Sequence, residues 1–298
     1  MYLSNITDID HSFLNEMLKL SYSHNNLGFG FPRGDLKDVE NEMNENNQKI
    51  NDCFYLIKDR DENLGIIGFM EIDVQRGIII GPVMKNKYYT YENILESINQ
   101  LRYMYKYKEK LISFDVLKEN TLLCKVLEEN GFKLSSSHIS MKMKLYQNKP
   151  YTMKLDKVIC SASREATDIL LQIDKLFKET LVDWVEEDVD SLYEYLEQGY
   201  DMAYLLHDDN VAGAIIWIWF EELGYGRIEY IAVAKSEQKK GYGSELLDFI
   251  LSKLSRTLKR EHLNYFYLDL DARNEKAYNL YRKKGFEFDY SDNVYRSY

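Results

Sequence analysis

Gln238-Lys239-Lys240-Gly241-Tyr242-Gly243-Ser244 lies between an apolar run, Ile228 to Val233, and an amphipathic one, Glu245 to Leu251. The order reads as strand, glycine-spaced turn, helix. Glycines let backbone N–H groups converge without Cβ obstruction. At a helix start those groups have no intrahelical partner and sit at the positive end of the dipole. The chemistry on offer is anion binding, and a pyrophosphate is the usual occupant. No Gly-Lys-Ser/Thr closes the turn, so it is not a P-loop, and the three glycines of the dinucleotide fingerprint are missing. A turn that uses glycines only for close packing is the plainer reading of these residues taken alone.

A second constellation follows. A β-rich run, Tyr265 to Leu270, precedes Asn274, Ala277, Tyr278, Leu280, Tyr281 and Gly285-Phe286. Asn274 suits a helix N-cap, and Gly285 suits the left-handed position just past a helix end. With the turn Gln-x-x-Gly-x-Gly at 238–243, this order resembles motifs A and B of the GNAT (GCN5-related) N-acetyltransferases. The resemblance is close over residues 201–298 and looser over 151–200.

It implies acetyl-CoA as cosubstrate, no metal, and transfer of an acetyl group to a primary amine. The resemblance places the pyrophosphate on the turn formed by Gln238, Lys239, Lys240, Gly241, Tyr242, Gly243 and Ser244. The two lysines would add charge there. Pantetheine would pair with the strand edge at Ile231, Ala232 and Val233 like an added strand. The Val233 amide would serve as the oxyanion donor, and Asn274 would fix the pantetheine arm. Tyr281 is implied as the acid that returns a proton to the leaving thiolate, its other reading being a ring that only borders the sulfur. Glu229 is the candidate base, and strand alternation places it on one face with Ile231 and Val233. Its other reading is a structural ion pair. Trp184 and Glu186, in the loop between the first two helices of this half, are the candidate acceptor contacts. Glu187 and Asp188 read instead as an acidic first turn of the following helix. Trp217 and Trp219 alternate with isoleucines and read as core.

The elements that must position these residues recur. In the first half, Cys53–Ile57 and Leu64–Ile72 flank the polar turn 59–63; in the second, 203–206 and 211–220 flank 208–210. Both read as hairpins. Phe114-Asp115 precedes Asn120 and Gly131-Phe132 at the spacing with which Leu268-Asp269 precedes Asn274 and Gly285-Phe286. An internal repeat of domain size explains both echoes. The expected architecture is mixed α/β (α+β), as two tandem GNAT-like domains. Each is a mostly antiparallel sheet flanked by helices. They are expected at residues 1–148 and 151–298, joined near Pro150. The first copy has Gly81-Pro82 and no Gln-x-x-Gly-x-Gly before its helix near Tyr91, and Leu127 where Tyr281 stands in the second. It is expected to keep the fold without the cosubstrate.

Composition bounds the rest. The chain has 298 residues, 45% hydrophobic and 29% charged, with a formal net charge of −11. That length accommodates two packed domains. The acidic balance argues against a general nucleic-acid binder and permits a cationic acceptor. The 3 cysteines are far apart, as expected of reduced thiols in a cytoplasmic protein. The start of the chain has neither a basic nor an apolar signal region, and no run is long enough for a membrane span. A monomer (a tandem pseudo-dimer) or weak homodimer is expected, with no nucleic-acid or membrane partner. Three functions stay open: a small-molecule amine acetyltransferase, a protein or peptide amine acetyltransferase, and a non-catalytic acyl-CoA sensor.

Overall fold

The computed structural model describes residues 1–30, 35–45, 47–72, 75–105, 111–146, 159–181, 184, 187–221, 224–258 and 264–297. Its first run of elements is β1 (Tyr2–Asn5), α1 (His11–Ser23), α2 (Leu36–Glu45), α3 (Ile50–Cys53), β2 (Phe54–Asp59), β3 (Glu62–Glu71), β4 (Arg76–Met84), α4 (Tyr91–Met104), β5 (Leu111–Leu117), α5 (Thr121–Glu129) and β6 (Lys133–Leu145). The second run is β7 (Ile159–Ser161), α6 (Thr167–Thr180), α7 (Val189–Glu197), β8 (Asp201–His207), β9 (Asn210–Phe220), β10 (Tyr225–Val233), α8 (Tyr242–Thr257), β11 (Asn264–Asp271), α9 (Glu275–Lys284) and β12 (Glu287–Arg296). Apart from the short α3, the two runs have the same order of strands and helices, as the repeat requires. The class is mixed α/β with mostly antiparallel strands.

The compact units do not divide where the sequence places the boundary. One comprises Met1–Ile139, Asp271–Arg273 and Tyr290–Tyr298; the other comprises Ser140–Leu270 and Asn274–Asp289. The expected linker at Pro150 lies outside the described residues. The division falls inside β6, and the C-terminal residues count with the first unit, because Asp292–Arg296 of β12 pair antiparallel with Ser113–Leu117 of β5. Strand pairing between residues so distant in sequence leaves no mark in local composition.

In the first unit the strand order is β1-β2-β3-β4-β5-β12. β4 and β5 run parallel, and their pairing ends at Ile79 with Phe114. Alternation along the strands sends Ile66 and Met70 to one face and Ile67 and Phe69 to the other. Leu14, Met17 and Leu18 of α1, with Val39 and Met43 of α2, cover the first face. Ile94, Ile98 and Leu101 of α4, with Leu123, Val126 and Leu127 of α5, cover the second. Each such fully buried side chain contributes about 1.5–3 kcal/mol.

In the second unit the order is β6-β11-β10-β9-β8-β7. α6 buries Leu170, Ile173, Leu176 and Phe177, an i, i+3, i+4 stripe, against Ala214, Ile216 and Ala232. α8 buries Leu246, Leu247, Ile250 and Leu251, and Leu246 approaches Gly213 from the other side of β9. The parallel pairing of β10 with β11 ends at Ile228 with Leu268, so the rest of β10 has an edge directed away from β9. No described helix is long and apolar enough to cross a membrane.

Candidate active site

A cleft of about 620 Å³ opens beside that edge of β10. Ile231, Ala232, Val233, Gln238, Lys239, Gly241, Tyr242, Gly243, Ser244, Asn274 and Tyr281 all border it. Residues 50 positions apart in sequence are brought together because α8 and α9 pack on each other, with Lys284 Nζ 2.5 Å from Asp248 Oδ2.

The turn leading into α8 is built to leave its amides open. Gly241 is the N-cap residue, with φ 92°, and no side chain caps the helix. A Cβ there would meet nothing within 4 Å. Glycine is therefore required by conformation and not by crowding. Lys239 is also left-handed, with φ 65°. Alternating left-handed residues turn successive N–H groups toward one concavity. Glu245 N reaches Gly241 O at 3.1 Å, so Tyr242, Gly243 and Ser244 contribute the orphan amides of the first turn. The matching start of α4 is closed: Thr90 Oγ1 accepts from Asn93 N.

Three lysines, Lys239, Lys276 and Lys283, border the cleft in a protein whose net charge is −11. Lys276 stands in the first turn of α9, where the dipole disfavours a cation. That local misfit is the signal the sequence carries. Lys240 does not join them. Its Nζ lies 2.9 and 3.0 Å from the two carboxylate oxygens of Glu237. The Lys240 ammonium compensates the Glu237 charge at the cleft, and His207 Nδ1 lies 3.2 Å from the same carboxylate.

Ala234 N donates to Ala212 O of β9 at 2.9 Å. Backbone groups alternate sides along a strand, so Val233 N–H, one residue back, points to the cleft edge. Gln238 Nε2 donates to Val233 O at 3.4 Å, tying the turn to the strand. Asn274 caps α9 through Oδ1, which accepts from Ala277 N at 3.1 Å. Its Nδ2 has no hydrogen-bond partner among the described residues. Tyr281 is 5% exposed, with its ring edge-on to Phe286. Burial raises its phenol above the ordinary tyrosine value, which keeps the hydroxyl protonated.

Glu229 departs from the expectation. β10 pairs Ile228 with Trp217 and Tyr230 with Ile216, leaving Glu229 as the extra residue of a bulge. Ile231 and Val233 still share a face, and Tyr230 and Ala232 share the other, but Glu229 leaves the Ile231 row. Its Oε2 accepts from Arg227 Nε at 2.9 Å, while Arg227 also donates to Tyr200 Oη at 2.9 Å. The carboxylate thus turns toward the α6–α7 side. It does not line the cleft.

Trp184 is wholly buried. Its Nε1 donates to Asp174 Oδ1 at 3.0 Å, and its ring packs against Phe177 and Tyr230. It is core, and it packs against the partly buried rings of Tyr195 and Tyr230. Glu186 lies outside the described residues. Asp188 is the N-cap of α7 and accepts from Asp190 N and Ser191 N. The sequence reading missed Tyr195, Tyr200 and Tyr230, which surround the Arg227–Glu229 pair.

Residues 170–286 match the sequence model of the acetyltransferase (GNAT) family. This segment is similar to GNAT domains. No curated protein matches the chain in sequence. Among solved structures, a GCN5-related N-acetyltransferase from Sphaerobacter thermophilus is similar over 99% of this chain and 94% of its own, with TM-score 0.72 and 12% identity. A putative acetyltransferase from Pyrococcus horikoshii is similar over 99% and 88%, with TM-score 0.55 and 14% identity. A tandem GNAT protein from the clavulanic acid biosynthesis pathway is similar over 82% of each chain, with TM-score 0.55 and 10% identity. At these identities the likeness concerns the fold, and it extends beyond the GNAT segment to the first unit.

Proposed function

We propose that the chain is an acetyl-CoA-dependent N-acetyltransferase. It moves an acetyl group directly to a primary amine of a small molecule, in the cytoplasm and without a metal. One observation carries this reading: the uncapped, Gly241-led start of α8 opens into a lysine-bordered cleft whose wall includes Tyr281. When bound, acetyl-CoA supplies the acyl group as an activated thioester. The amides of Tyr242 to Ser244 hold its pyrophosphate, with Lys239, Lys276 and Lys283 as counter-charges. Nδ2 of Asn274 would donate to the pantetheine arm, and the edge at Ile231 to Val233 would offer backbone partners to its amides. Val233 N–H stabilises the developing oxyanion. Tyr281 holds the proton needed by the thiolate.

On the other face, Glu229 receives the amine proton through its second carboxylate oxygen. Tyr195, Tyr200 and Tyr230 form the aromatic surface on which a cationic amine rests. The test is release of free CoA thiol from acetyl-CoA across amines, polyamines, aminoglycosides, amino acids and peptides. Turnover with a small amine supports the reading. Turnover with peptides alone transfers it to a protein acetyltransferase, and tight CoA binding without any turnover makes the chain a sensor.

Glu229→Gln separates base from positioning residue. The variant should lose about 10²-fold in rate near neutral pH, the usual size of a general-base contribution. The loss should shrink as pH rises, because more of the amine is then already neutral. A loss that stays constant across the profile would make Glu229 a partner of Arg227 only.

A further inference from the structure

In the first unit, β4 and β5 part after Ile79 and Phe114, as β10 and β11 part after Ile228 and Leu268. In the second unit the resulting gap is the cleft. In the first it is filled. Phe29 bridges Val116 of β5, and Gly30 N donates to Asp115 O at 2.9 Å. Phe29 is 3% exposed and packs with Ile80 and Val83 of β4. Asn120, the counterpart of Asn274, caps α5 through Oδ1 in the same manner. Its Nδ2, however, donates to Gly28 O at 3.1 Å. Tyr89, partly buried, exchanges hydrogen bonds with the Asn120 side chain through its Oη.

The segment passes close against the side chains of β5. A Cβ on Gly28 would lie 2.4 Å from Leu117 Cδ1, and one on Gly30 would lie 2.0 Å from Asp115 Oδ1. A side chain at either position would require Leu117 or Asp115 to move aside.

We infer that Leu27–Gly30 is a built-in occupant of the first unit's cofactor gap, a length of the chain's own backbone standing where the second unit is open. Gly28 C=O satisfies the asparagine donor that Asn274 offers to pantetheine, and Gly30 N–H satisfies the β5 edge. The comparison with pantetheine rests on the acetyl-CoA reading of the second unit; the occupied gap does not. The consequence is one CoA per chain, enforced by occupancy as well as by the absent glycine turn.

The test reads amide hydrogen exchange in the full chain, first without ligand. Gly30 N–H should exchange as slowly as the β4 and β5 amides; exchange at the free-chain rate overturns the inference. Asn120→Asp keeps the capping oxygen and the shape but removes the Nδ2 that donates to both Gly28 O and Tyr89 Oη. It should speed exchange at residues 28–30 by about tenfold or more relative to β2 and β3, since one lost hydrogen bond alone is worth about that. Unchanged exchange there overturns the lock. With saturating CoA, residues 28–30 should be unaffected and calorimetry should give one site. Displacement at 28–30 or a second site overturns the inference. Absence of any CoA binding refutes the acetyl-CoA reading and leaves the ligand-free exchange result standing. Should Asn120→Asp fail to fold, the wild-type exchange and stoichiometry decide.

Discussion

Gly241→Glu is expected to lower CoA affinity by about a thousandfold, roughly 4 kcal/mol, when measured by calorimetry. A carboxylate at the start of α8 would stand where the pyrophosphate belongs and would accept the amides of Tyr242 to Ser244 for itself. The site has room for it, since nothing lies within 4 Å of a Cβ at this position. The cost to the ligand-free protein is then conformational only. Holding a non-glycine residue at φ 92° costs about 1–2 kcal/mol, a few degrees in Tm. Gly241→Ala carries the same strain without the charge and should retain most of the affinity. Equal losses in the two variants would show that the turn's shape, and not its anion-binding amides, is what the ligand needs. Unchanged affinity in folded Gly241→Glu would move the phosphate site elsewhere.

Tyr281→Phe should reduce kcat by about 10²-fold or more while acetyl-CoA affinity changes little. The ring stays against Phe286, so packing survives, and only the hydroxyl is removed. Burial raises the phenol of Tyr281 above its ordinary value of 10.0. The group therefore remains protonated through the alkaline range in which an unperturbed tyrosine would begin to ionise. The wild-type rate should accordingly show no alkaline decline from this residue up to about pH 10. An alkaline limb near pH 9 that disappears in Tyr281→Phe would contradict the buried, protonated state. A near-normal kcat in Tyr281→Phe, with a pre-steady-state burst absent, would remove the acid assignment.

What the sequence by itself determined is local chemistry. The start of α8, the cap at Asn274 and the left-handed exit at Gly285 are set by residues within a turn of one another. Cap and turn propensities act over that range. The pairing of motifs in one order then carried the family resemblance and the tandem plan. Helix limits came close for the same reason: α9 begins just after Asn274 and ends just before Gly285.

The tertiary structure decided everything that depends on a distant partner. The bulge that turns Glu229 from the Ile231 row to Arg227 exists only in the pairing of β10 with β9; period-two alternation has no means of registering an extra residue. Trp184 reads as a surface aromatic in an acidic loop, yet Asp174, ten residues away, satisfies its Nε1 and allows full burial. Lys240 and Lys239 are adjacent and alike in type, and only the placement of Glu237 removes one of them from the cleft. The Gly28-Phe29-Gly30 stretch carries no functional signal as sequence. It becomes an occupant because β5 and Asn120 present unsatisfied backbone and amide groups to it, and buried polar groups must find partners. The C-terminal strand joined the first unit for the same reason: the β5 edge needs a partner, and proximity in space, not in sequence, supplies it.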